Sequence, residues 1–243
     1  MLARWRDAGL VPLTAATLTA LFLLCGLGTW QMGRKTWKEG LLAQRAARAA
    51  QAPADPGDAL FQPGGIAEYT RLRLSGRFHH DKERYWFADG REGSGYQVYT
   101  PFEIPGQGIL WVNRGYIPKR LRDPATRTAG QLQGTTSVTG VVRYPGERNR
   151  FTPDNDVARN QWYWRDLPAL QASAFPADLR YAPVMVDAEP QPANPGGWPD
   201  GAAAEVPLSN RHLEYALTWY ALAATLIAVF CVFARGRLAQ RLE

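Results

Sequence analysis

Two apolar runs without a single charged residue, residues 11–32 and residues 215–234, constrain this chain more than anything else in it. At about 1.5 Å of rise per residue, a helix over either run is long enough to cross the roughly 30 Å hydrocarbon core of a bilayer. Two transmembrane helices are therefore expected, over residues 11–32 and 212–234. Arg4 and Arg6 precede the first run, as they would in a signal peptide, but no small-x-small cleavage site follows it. Leu24 stands before Cys25 where a lipoprotein signal would carry a small residue, so a retained helix is expected.

The net charge of +6 invites a nucleic-acid reading until it is divided by region. Residues 51–210 hold 17 basic and 18 acidic residues, while the remainder holds 11 basic and 4 acidic. The excess flanks the apolar runs, and the part able to fold outside the membrane has no basic surplus with which to bind a polyanion. Lipid, not nucleic acid, is the expected partner. Arg235, Arg237 and Arg241 follow the second run and place residues 235–243 in the cytoplasm. Arg34, Lys35, Lys38, Arg45 and Arg48 follow the first run and vote the other way, but long loops cross largely regardless of charge. With the second run deciding, residues 1–10 are cytoplasmic too, and the main domain is periplasmic or otherwise extracytoplasmic.

Both cysteines, Cys25 and Cys231, lie in the apolar runs. In an antiparallel helix pair their depths differ by roughly 16 Å of rise, too far for a disulfide. The domain between the runs has neither a disulfide framework nor a thiolate metal site. With three methionines in all, a copper shuttle would have few soft ligands.

Residues 33–50 read as a basic, alanine-rich juxtamembrane helix ended by Pro53, Pro56 and Gly57. Residues 51–188 change to short alternating runs closed by glycine or proline: 70–75, 85–88, 96–102, 109–113, 137–144, 161–165 and 181–186. Asp166 starts a short helix over 167–174, and residues 189–211 form a Pro/Gly-rich connector. The fold class is a membrane protein whose two transmembrane α-helices flank one mainly antiparallel β domain, barrel- or sandwich-like, with a minor helix. Phe151, Trp162 and Trp164 are expected in its core.

Four stretches stand out together. They are Leu27-Gly-Thr-Trp30-Gln31-Met-Gly-Arg34-Lys-Thr-Trp37-Lys38, Gly95-Tyr96-Gln-Val-Tyr-Thr100-Pro101, Val112-Asn113-Arg114-Gly115-Tyr116-Ile117-Pro118 and Asn210-Arg-His212-Leu213-Glu-Tyr215-Ala216-Leu-Thr218-Trp219. With Phe151-x-Pro153-x-Asn155 and Asn160-x-Trp162 between them, this ordered set resembles the SURF1 family over nearly the whole chain. One departure is Tyr116, where tryptophan is usual. The resemblance implies a biogenesis factor for cytochrome c oxidase, in a bacterial member seated in the inner (cell) membrane. It implies haem a as cofactor, aided into catalytic subunit I, with haem a synthase as a further partner. In bacterial members the histidine at the start of the second span is similar to an axial iron ligand, which here points to His212.

The residues themselves suit that role. Imidazole is the commonest axial haem ligand, and His212 stands at the mouth of a helix where an amphipathic macrocycle can rest. Tyr215, Ala216 and Trp219 follow at i+3, i+4 and i+7 on its face, and Trp30 is expected at similar depth on the other helix. Arg34, Lys35 and Arg211 are near enough to offer charge to propionates. A bland reading competes: aromatic residues and Arg or Lys at span ends are ordinary interfacial anchors.

His79 and His80 are adjacent, so on a strand they face opposite ways, and they read as an exposed strand end or turn with a weak claim to a metal. Arg114 and Gly115 are expected to be structural, the arginine satisfying a carboxylate and the glycine a backbone requirement. No nucleophile elbow, phosphate-cradling loop or Cys/His cluster is present in the sequence, and no residue is assigned to catalysis. Three readings follow: a haem a-handling assembly factor, a haem-free scaffold for an oxidase assembly intermediate, and a membrane-anchored hydrolase. The last needs a pocket with coupled acid and base groups.

Overall fold

The computed structural model describes residues 5–6, 9–201 and 211–240. The chain divides into two compact units, Met1–Gln44 with Pro207–Glu243, and Arg45–Val206. Among the described residues the α-helices with defined bounds are α1 (Leu10–Ala49), the short α2 (Leu167–Ala172) and α3 (His212–Ala239).

Both α1 and α3 are long and apolar enough to cross a membrane. Helix α1 carries the apolar run and the basic juxtamembrane stretch without a break. In lipid no water can satisfy backbone or hydroxyl groups, and the threonines of α1 solve this locally. Thr14, Thr17, Thr19 and Thr29 each donate a hydroxyl hydrogen to the carbonyl four residues before. The two helices meet along a seam of positions spaced by three and four, including Leu10, Thr14, Leu24 and Gly28 on α1 and Ala216, Trp219, Ala223 and Ala234 on α3. That spacing keeps one face of each helix toward the other. Gly28 makes room for a side chain of the other helix: a methyl group added there would strike the ring of Tyr220. At the other end Leu10 and Ala234 pack with Trp5, Phe230 and Leu238.

The second unit is a sheet of six strands, β1 (Arg71–Phe78), β2 (Arg84–Gly90), β3 (Gly93–Ile104), β4 (Gly108–Pro118), β5 (Thr136–Arg143) and β6 (Tyr181–Ala188), in the order β1-β5-β6-β4-β3-β2. A further pairing of β1 with β3, Arg77 opposite Glu103 and Phe78 opposite Phe102, closes five of them into a barrel. Among the strand pairs of the described residues, only β4 and β6 run parallel. The register of β3 against β4 shifts between Gln97, opposite Tyr116, and Tyr99, opposite Asn113, where β4 carries one extra residue; β3 pairs β2 along its first half and β1 near its end. Strand β4 reads as a continuous apolar run because both its faces are covered: Leu110 and Val112 enter the cluster with Leu72, Phe102 and Val186, while Trp111 packs with Trp86, Trp162 and Leu170.

Two expectations need correction. Residues 161–165 do not form a strand; Trp162 makes a single parallel bridge to Trp86, and Gln161 one bridge to Asp156. The side chain of Asn155 accepts from the backbone N–H groups of Tyr163 (2.8 Å) and Trp164 (3.3 Å), occupying the donors a longer ladder would use. Trp162 is nonetheless buried, with its indole N–H donating to Asn160 Oδ1 at 3.0 Å. Phe151 is not core but 87% exposed. Its backbone N–H donates to Asn149 Oδ1 at 2.8 Å, a local turn that directs the ring outward.

Candidate functional site

The helical unit positions the first candidate. Helix α3 begins at His212, and Arg211 pairs with Glu214 at 2.8 Å in the first turn, where a carboxylate suits the helix dipole. The imidazole is half-buried against α1, its Nδ1 2.7 Å from Oε1 of Gln31. Further along the seam Tyr220 packs its ring on Gly28 and sets its hydroxyl 3.3 Å from Thr29 Oγ1. From Gln31 back to Leu10, and from His212 on to Ala234, the helix rise is about 32 Å in each case. His212 and Gln31 thus lie at one end of an apolar pair whose length matches the hydrocarbon core, and the Leu10 cluster lies at the other.

The expected neighbours of His212 separate into two groups. Ala216 is buried on the seam and Trp219 is half-buried there. Tyr215 is 52% exposed and Trp30 is 57% exposed, both on surfaces that α1 and α3 leave free. Arg34 lies 4.4 Å over the ring of Trp37, Lys35 pairs with Glu39 at 2.8 Å, and Arg211 is held by Glu214. The partner of His212, Gln31, lies in the stretch Leu27 to Lys38 and was not legible as such in the sequence. The only signal was an amide at the end of an apolar run, and nothing in the sequence pairs it with residue 212.

The β unit holds a buried charged cluster. Glu83, 3% exposed, lies 2.5 Å from Arg127 Nη2, 3.5 Å from Arg114 Nη1 and 3.5 Å from His80 Nδ1, and accepts from the Tyr85 hydroxyl at 3.1 Å. Burial pushes this carboxyl up, but the hydrogen bonds from His80 and Arg127 and the charges of both arginines outweigh it and bring the group down to about 2. Arg114 is lowered to about 10, because burial opposes its charge more than Glu83 supports it. Arg114 also donates to the Gly130 carbonyl and to Asn194 Oδ1 (3.0 Å) and lies 4.8 Å over Phe78. It satisfies a carboxylate, as expected, and Gly115 has φ +115°, where a Cβ would collide with the Asp200 carbonyl. His80 is therefore a member of this cluster rather than an exposed turn residue. The arrangement ties β2, β4 and the Pro124–Gly130 turn together.

His79 goes elsewhere. Its Nε2 lies 2.8 Å from Glu103 Oε2, which Arg77 also engages at 2.9 Å, beside a cavity of about 380 Å³ lined in part by Phe175, Leu179 and Arg180. Hydrogen bonds from Arg77 and then His79 hold Glu103 below the usual carboxylate range. A coupled pair beside a cavity meets the outline of the hydrolase reading, but the residues lining this cavity offer no hydroxyl or thiol nucleophile.

Comparison with known proteins agrees with the sequence motifs. The SURF1 family matches residues 18–224. Surfeit locus protein 1 of Takifugu rubripes is 38% identical over 220 residues, covering 82% of this chain and 87% of that protein. Surfeit locus protein 1 of Homo sapiens is 37% identical, covering 93% of this chain and 76% of that protein. The SURF1-like protein of Monosiga brevicollis is 34% identical, covering 91% and 87%.

Proposed function

The chain belongs to the SURF1 family, known for cytochrome c oxidase assembly, and from that premise we propose that it holds haem a at His212 for delivery to catalytic subunit I of the oxidase. The observation that carries this reading is the placement of His212: a half-buried imidazole at the end of a bilayer-length helix pair, with Nδ1 engaged by Gln31 and no hydrogen bond at Nε2 among the described residues. An imidazole nitrogen beside apolar and aromatic surface is the donor chemistry that haem iron and a porphyrin face require, so the residues present fit the group. The iron chemistry belongs to the cofactor. The chain's part is to bind through His212, to offer the Trp219, Trp30 and Tyr215 rings as apolar surface, and to lend the charges of Arg34 and Arg211 to the propionates. Those arginines now make exposed contacts of little strength, which a carboxylate ligand can replace.

In this reading both termini face the cytoplasm of a cell whose inner membrane holds the helices, and the β unit stands outside, docking subunit I or haem a synthase. The test is purification from a host that makes haem a. His212→Ala is expected to lose most of the Soret absorbance carried by the parent; equal absorbance in both proteins would refute the ligand assignment.

A second reading has its own observation. The fit of the Tyr220 ring on Gly28 and the contact of its hydroxyl with Thr29 would hold two helices together with no cofactor and without His212. As a haem-free scaffold, the protein would support oxidase assembly in the His212→Ala variant, whereas changes at the Trp30 and Trp219 faces would abolish it.

A further inference from the structure

Gln31 presents its Oε1, not its NH₂, to Nδ1 of His212 at 2.7 Å. A carbonyl oxygen accepts and never donates, so the proton in this contact belongs to Nδ1. A neutral imidazole carries one ring proton; placing it on Nδ1 leaves Nε2 with a bare lone pair. Turned over, the same amide would donate to Nδ1, drive the proton to Nε2 and close that nitrogen to a metal. The orientation of one side chain on α1 thus decides which nitrogen on α3 is available. The packing of Tyr220 against Gly28 and Thr29 fixes the register of the two helices around this pair.

We infer that Gln31 is a positioning residue for His212: it selects the Nδ1–H tautomer and aims Nε2 as the iron ligand. This rests on the reading of His212 as a haem ligand, and it goes beyond that reading by assigning the nitrogen and the group that governs it. Partners of this kind on the far nitrogen of a ligating histidine fix its tautomer and ring orientation, and their loss typically weakens metal binding by about 10- to 100-fold. A plain interhelical clamp would hold the helices with either tautomer.

The test starts without haem. The full chain, labelled with ¹⁵N-histidine and purified in detergent, has only three histidines, and His212→Ala identifies the signals of residue 212. Expected are a protonated Nδ1 and a bare Nε2 in the parent, with the proton moving to Nε2 in Gln31→Leu. Titration with hemin then reads the consequence: Gln31→Leu binds about 10- to 100-fold more weakly, while Gln31→Glu, which keeps an acceptor, binds within a few-fold of the parent. A parent protein with its proton on Nε2 overturns the inference and needs no variant to be read. So does a tautomer that Gln31→Leu leaves unmoved, or equal hemin affinity in Gln31→Leu and the parent. If the tautomers behave as expected but His212→Ala binds hemin as tightly as the parent, the haem reading has failed, and the positioning role falls with its premise.

Discussion

Glu83 illustrates how one buried carboxylate can organise its surroundings. It faces two guanidinium groups and an imidazole in a site closed to water, so removing its charge leaves Arg114 and Arg127 buried without compensation. Glu83→Gln is expected to destabilise the β unit by about 3–5 kcal/mol, the usual cost of breaking a buried pair from one side, measurable by urea unfolding of the full chain in detergent. Because the folded carboxyl sits at about 2 against an ordinary 4.5, its contribution is complete above pH 4.5 and fades as pH falls toward 2. The stability gap between parent and variant should shrink over that interval; a gap unchanged down to pH 2 would contradict the assignment. At this scale the sequence was only partly legible. His212 announces itself by its position, but Glu83 sits in a run of charged residues, and what buries it are arginines 31 and 44 positions further along the chain.

Among the elements, the helix pair depends most visibly on a single residue. Gly28 has no room for a Cβ beside Tyr220, whereas Gly33, on the same helix, has nothing within 4 Å of the position a Cβ would take. Gly28→Val is therefore expected to cost about 1–3 kcal/mol in helix pairing by overpacking and to lower hemin affinity with it, while Gly33→Val leaves both unchanged. A cysteine crosslinking assay across the seam in membranes would measure the pairing, and equal effects of the two substitutions would argue against the seam. Element types were largely legible: alternation marks β1 to β3, β5 and β6, and the apolar runs mark α1 and α3. Residues 161–165 alternate just as well, yet Asn155 takes the backbone donors a ladder needs, a capture that periodicity does not reveal. The closure of β1 on β3 was equally hidden, since two residue pairs so far apart in sequence leave no local trace.

At the scale of the whole molecule, two apolar helices bracket a closed β unit, and the ends of the helix pair differ chemically. One end is an aliphatic and aromatic cluster around Leu10, and the other carries an imidazole and an amide. That asymmetry was legible as far as the spans and His212 are concerned, and it gives the family's role in oxidase assembly a candidate locus. Whether the intact protein carries haem separates a haem carrier from a haem-free scaffold. The most direct measurement is the absorption spectrum of the unaltered chain, purified in mild detergent from a host that makes haem a and passed through gel filtration. Roughly stoichiometric haem a, remaining with the protein through the column, is the predicted result; a colourless protein that still supports oxidase assembly would contradict it.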